Sequence, residues 1–103
     1  MQLDVFANPL VRARRAFPYV VLLQADISAF GSDRIIAFLA AKAQFGPPSS
    51  RLMPVVEVDG HDFVLLMPSI TNVSVAELRS PIGNLNPFRD RIVDAIDWTF
   101  LGI

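Results

Sequence analysis

Cysteine is absent from this 103-residue chain, so it can build neither a disulfide framework nor a thiolate metal site. Histidine is nearly absent. The single one, His61, follows an Asp-Gly turn with no neighbour in sequence to orient it or to be acted upon. It reads as an exposed turn residue rather than a general base. No histidine and carboxylate residues share metal-ligand spacing. No glycine-rich phosphate loop is present either, so no metal and no cofactor are expected. The chain lacks a dominant charge: nine basic and ten acidic residues leave a net charge of −1, with no overall basic field to draw it to nucleic acid or an anionic membrane. Long apolar runs are missing too. No stretch, residues 19–23 included, approaches the about 18 residues that a membrane span needs. The opening "MQLDVFANP" has no charged region followed by an apolar block, as a signal peptide would. With no internal repeat and no low-complexity linker, residues 1–103 are expected to form one complete, soluble, cytoplasmic domain.

Hydrophobic residues, in contrast, are abundant, at 52% of the chain. A monomer this small has too much surface for its volume to bury them all, so a dimer is expected.

Along the chain, "MQLDVFA" places Leu3 and Val5 on one side and Gln2, Asp4 and Phe6 on the other, which predicts a first strand. "NPLVRARRA" opens with a turn signal and carries three arginines. "FPYVVLLQ" is apolar on both faces, as a central strand would be. "RIIAFLAAK" has the apolar content of a helix but is short and flanked by breakers. "FGPPSS" predicts a loop. In "PVVEVDGHDFVLLM", Asp59-Gly60 joins two alternating runs, a strong hairpin signal. Another short strand is expected over residues 73–78, then a loop at "SPIGNLNP".

The period then changes. Asn86 precedes Pro87 as an N-cap precedes a first helical residue. Asp90 suits the positive end of the helix dipole. Phe88, Ile92, Ile96 and Phe100, with Val93 beside them, predict one apolar face, while Asp90, Asp94 and Asp97 read as the solvated side. Strands followed by one amphipathic helix predict an α+β fold, mainly β, with five or six short strands in a strongly bent sheet or partial barrel.

Two features are candidates for function. Arg12, Arg14 and Arg15 cluster on one loop, where they can grip phosphates, meet an acidic partner segment or simply keep the loop soluble. The chain also closes on "DWTFLGI", apolar to its last residue. Gly102 stands where a left-handed residue ends a helix, and Ile103 would then cover Trp98 in a Schellman arrangement. The competing reading is an exposed apolar tip for a partner's groove.

The order and spacing of "MQLDVF", "FPYVVLLQADI", "LMPVVEVDGHDFVLLM", "VSVAEL" and "FRDRIVDAIDWTFLGI" resemble, nearly end to end, the CcdB family of bacterial toxins. The resemblance implies a small SH3-like antiparallel barrel with an added hairpin and a C-terminal helix, built as a homodimer. It implies a toxin of a type II toxin–antitoxin system, with a role in plasmid maintenance. Such a toxin is not an enzyme. It binds the DNA gyrase A subunit, traps gyrase on cleaved DNA, and meets DNA only through gyrase. A cognate antitoxin with a disordered C-terminal segment neutralises it, since a segment that folds on binding can wrap a large surface. Matched position by position, the gyrase contacts fall on Phe100, Leu101, Gly102 and Ile103, with Asp97, Ile27 and Ser28 near the same surface. Leu101 stands where the family often has Trp, Ser28 where it often has Ile, and Asp97 where it often has Asn. Arg12, Arg14 and Arg15 are candidate antitoxin contacts on charge grounds. Two other readings are an antitoxin-binding module without toxicity and an endoribonuclease on a related barrel, in which the arginines would carry the phosphate chemistry.

Overall fold

The structure, a computed structural model, describes residues 1–26, 31–45 and 51–102. Among the described residues, six strands and two helices follow one another as β1 (Asp4–Ala7), β2 (Tyr19–Leu22), β3 (Asp33–Ala41), α1 (Lys42–Phe45), β4 (Val55–Val58), β5 (His61–Ser74), β6 (Gly83–Asn84) and α2 (Arg89–Leu101). The strands form one antiparallel sheet in the order β4-β5-β3-β2-β1-β6, bent into a nearly closed barrel with α2 as its C-terminal helix. The mainly β reading of the sequence is therefore right.

Side chains alternate across each strand, which gives the bent sheet two apolar faces. On β2, Val21 joins Leu3, Val5, Leu39, Leu65 and Met67 in the main core, which Ile92 and Ala95 of α2 close. Val20 and Leu22 point the other way, into a second cluster with Phe6, Ile36 and Val73. A strand buried on both faces has to be apolar throughout, as "YVVLL" is. Each such side chain, fully buried, contributes roughly 1.5–3 kcal/mol.

The β4–β5 hairpin follows its turn chemistry. Val58 pairs with His61 across Asp59 and Gly60, whose φ angles of 53° and 79° meet the positive-φ demand of a two-residue hairpin loop. "RIIAFLAA", ambiguous in sequence, is strand β3, because β2 and β5 pair with it on either side. The separate strand expected at 73–78 does not exist as such. Val73 and Ser74 end the 14-residue β5, and Val75–Glu77 is a 3-10 turn. Earlier in the strand β5 bulges: Phe38 faces Leu66 but Ile36 faces Thr71, so residues 67–70 stand opposite Ala37 alone, three more than a regular ladder holds. Pro68, which has no N–H for a ladder, sits in that bulge. The loop expected at "SPIGNLNP" holds the short edge strand β6.

The helix start also differs from expectation. Asn86, Pro87 and Phe88 form a 3-10 turn, and α2 begins at Arg89. Asn84, not Asn86, supplies the side-chain acceptor, its Oδ1 taking the Asn86 N–H at 2.7 Å. Four-residue spacing overstates the apolar face as well. Each step of four turns about 40° past a full circle, so Phe100 lies about 120° round from Phe88. Accordingly Ile92 and Ala95 are buried, Phe88 and Ile96 are packed at the margin, and Val93 and Phe100 are exposed. The expected "FGPPSS" loop lies mostly outside the described residues.

Candidate functional site

The far end of α2 projects its apolar side chains outward. Phe100 and Leu101 are each 66% exposed. Gly102 ends the helix in the left-handed conformation, φ 71°, with its N–H shared between the carbonyls of Asp97 and Trp98 at 3.2 Å each. The bond to Trp98 is the left-handed cap that glycine makes at low cost. Asp97 is exposed on the same end of the helix. Ile27, Ser28 and Ile103, the other residues matched to a gyrase contact, lie outside the described residues, and so does the expected Ile103–Trp98 contact.

Trp98 has a different cover. The Arg51 guanidinium lies 4.2 Å from the centre of its ring, in cation–π range. Arg51 is held there by two bonds to Asp94, Nε to Oδ2 at 2.9 Å and Nη2 to Oδ1 at 2.6 Å. Asp94 is thus not merely part of a solvated side. Hydrogen bonding to Arg51 holds its carboxyl below the ordinary range, Coulombic attraction adds to this, and desolvation opposes it. The same bonds raise the Arg51 guanidinium further. Sequence reasoning missed Arg51, because no local pattern pairs it with residues so far along the chain. Asp90 and Asp97 are exposed as expected.

The arginine loop divides its labour. Asn8, fully buried, organises it: its Nδ2 donates to the Phe17 carbonyl at 2.8 Å and its Oδ1 accepts the Leu10 N–H at 2.9 Å. Arg14 turns back and donates Nε to the Asn8 carbonyl at 2.5 Å. Arg12 and Arg15 instead line an open cavity of about 480 Å³ whose other walls are Ala16, Phe17, Ala40 and Gln44. Phe17 is braced by Phe38, ring centres 5.5 Å apart. The result is an apolar floor with two guanidinium groups at its rim. It suits an acidic segment that also buries an apolar side chain.

His61 is exposed at the start of β5. Among the described residues no three His, Cys, Asp or Glu side chains converge as metal ligands would. No helix among them is long and apolar enough to cross a membrane.

No curated protein matches the chain significantly. A family model described as CcdB protein matches residues 2–102, nearly its whole length. With the antiparallel barrel and the terminal helix in place, that match is decisive: the chain belongs to the CcdB family, the toxins of toxin–antitoxin systems.

Proposed function

We propose that this protein is a toxin of a type II toxin–antitoxin system that acts by binding rather than by catalysis. Its target is the DNA gyrase A subunit. The toxin, as a homodimer, inserts the tips of its α2 helices into the opened gyrase A dimer and holds the enzyme on cleaved DNA. The observation that carries this reading is the exposed pair Phe100 and Leu101 at a helix end held by Gly102. Two large apolar side chains left in water are a standing gain for any groove that covers them. Gly102 and Asp97 belong to that surface, and Ile27, Ser28 and Ile103 are proposed to complete it.

The cognate antitoxin reaches a second surface with its disordered C-terminal segment. Arg12 and Arg15 receive its acidic side chains, and the Phe17 floor receives an apolar one. Arg14 contributes by shaping the loop. An endoribonuclease reading gains no support here. Among the described residues, the cavity under Arg12 and Arg15 is lined by no histidine or carboxylate to move a proton. The module without toxicity keeps one point in its favour: Leu101 offers less surface and no aromatic face where the family often has Trp.

A DNA-cleavage assay tests the reading. Gyrase, ATP and supercoiled plasmid are incubated with the intact chain or with a version lacking residues 101–103. Linear DNA trapped by the intact chain alone is the expected result. No linear DNA from folded intact protein overturns gyrase poisoning and leaves the antitoxin-binding module.

A further inference from the structure

Helix α2 carries Asp90 in its first turn, where it suits the dipole, but nothing of its own at its far end offsets the dipole there. Asp94 stands near its middle and Asp97 in its second half, and its last turn holds no basic residue. The Asp97 carboxylate, next to that turn, meets the partial negative charge of the end carbonyls, an arrangement that favours fraying of the end. The missing cation comes from elsewhere in the fold. Arg51, 43 positions from Asp94, grips both oxygens of its carboxylate. This two-point fork fixes the plane of the guanidinium, and its central carbon sits over the Trp98 ring. Asp94 and Trp98 are neighbours one turn apart, and Leu101 continues their row three residues on. Arg51 therefore bridges the two turns directly beneath the exposed tip. The indole Nε1 is buried and meets no acceptor among the described residues, which leaves the Arg51 ring contact as the polar contact to Trp98 among them. Arg91, nearer the helix start, ties that end to β4 by donating Nη1 to the Val55 carbonyl at 2.9 Å.

We propose that Arg51 is a positioning residue of the partner-binding tip. By bridging Asp94 and covering Trp98 it keeps the last turn of α2 wound, and so keeps Phe100 and Leu101 in one orientation. The ordering rests on the helix geometry alone; its consequence for binding rests on the reading of the tip as the gyrase contact.

Trp98 is the only tryptophan, so indole fluorescence reports this place and no other. The full chain is compared with Arg51→Gln, Arg51→Lys and Asp94→Asn for acrylamide quenching of Trp98, amide exchange and dissociation from the gyrase A subunit. In Arg51→Gln, quenching rises and the amides of residues 99–101 exchange about fivefold faster. The amides of β4 and β5 keep their rates, and the gyrase complex dissociates faster. Arg51→Lys does not rescue, because an ammonium neither forks to a carboxylate nor lies flat on an indole. Asp94→Asn gives the same pattern more weakly. Unchanged quenching and tip exchange overturn the proposal, and so does faster exchange spread over the whole sheet. A loosened tip with unchanged gyrase dissociation overturns its functional half. If the unaltered chain does not bind gyrase, the functional reading above fails, and quenching and exchange still decide whether Arg51 orders the tip.

Discussion

Phe100 and Ile92 lie on the same helix and meet opposite fates on truncation to alanine. Ile92 is 1% exposed in the main core, against Leu85, the sheet and the other helix residues of that cluster. Removing such a side chain costs the transfer of its methyl groups plus the cavity left behind, about 2–5 kcal/mol. Phe100 is 66% exposed, so only a third of its surface is withdrawn from water. A fully buried Phe is worth roughly 1.5–3 kcal/mol, which leaves Phe100 about 1 kcal/mol or less in the free protein. The remaining two thirds become available only when a groove covers the ring. That share is about 1–2 kcal/mol, or an affinity roughly five- to thirtyfold weaker for Phe100→Ala. Urea unfolding at several protein concentrations measures the first quantity, since the concentration series separates monomer stability from association. Calorimetric titration of the gyrase A subunit measures the second. The expected pair is a large midpoint shift with Ile92→Ala and a small one with Phe100→Ala, whose gyrase affinity falls. A Phe100→Ala variant as unstable as Ile92→Ala, or one that binds gyrase within twofold of the unaltered chain, refutes the reasoning.

Gly102→Ala is expected to cost about 1–2 kcal/mol at the helix end, seen as faster amide exchange there. The cause is backbone strain at φ 71° rather than crowding, since an added Cβ meets nothing within 4 Å among the described residues. Asn8→Ala leaves the Phe17 carbonyl and the Leu10 N–H without their partner and is expected to destabilise by about 1–3 kcal/mol in urea unfolding. It should also weaken antitoxin binding through the misplaced arginines. Acid should release Arg51 from Trp98. The Asp94 carboxyl is held below its ordinary value, so its contribution is present above the ordinary carboxylate value and is lost as pH falls through the lowered one. A change in Trp98 fluorescence in that acid window, absent from Asp94→Asn, is the expected result.

Much of this architecture is legible locally. The Asp59-Gly60 turn, the apolar alternation of β1 and β4, and the glycine that ends α2 depend on neighbours a few residues away. The end of α2 admits two readings from sequence, a Schellman contact over Trp98 or an exposed apolar tip, and it is the structure that leaves Phe100 and Leu101 exposed. What was misread depends on partners far off in sequence. "RIIAFLAA" has no decisive period of its own and becomes a strand through pairing with β2 and β5. β5 runs through Pro68 because the register shift opposite Ala37 absorbs a residue with no N–H. Asn86 makes no side-chain cap; its own N–H is taken by Asn84, which is anchored by its bonds to the Gln2 carbonyl and to Asp4 of β1.

By itself, then, the sequence determined the class of fold, the hairpin, the terminal helix and its glycine stop. All of these are set by short-range sterics and by the period of the apolar pattern. Only the tertiary structure decided which arginine of the loop turns back and which two face a cavity, and that Arg51 sits on Trp98. Those arrangements are made by single side chains reaching across the fold, where the gain comes from a two-point hydrogen bond or a covered ring. No periodicity in the chain records such a contact.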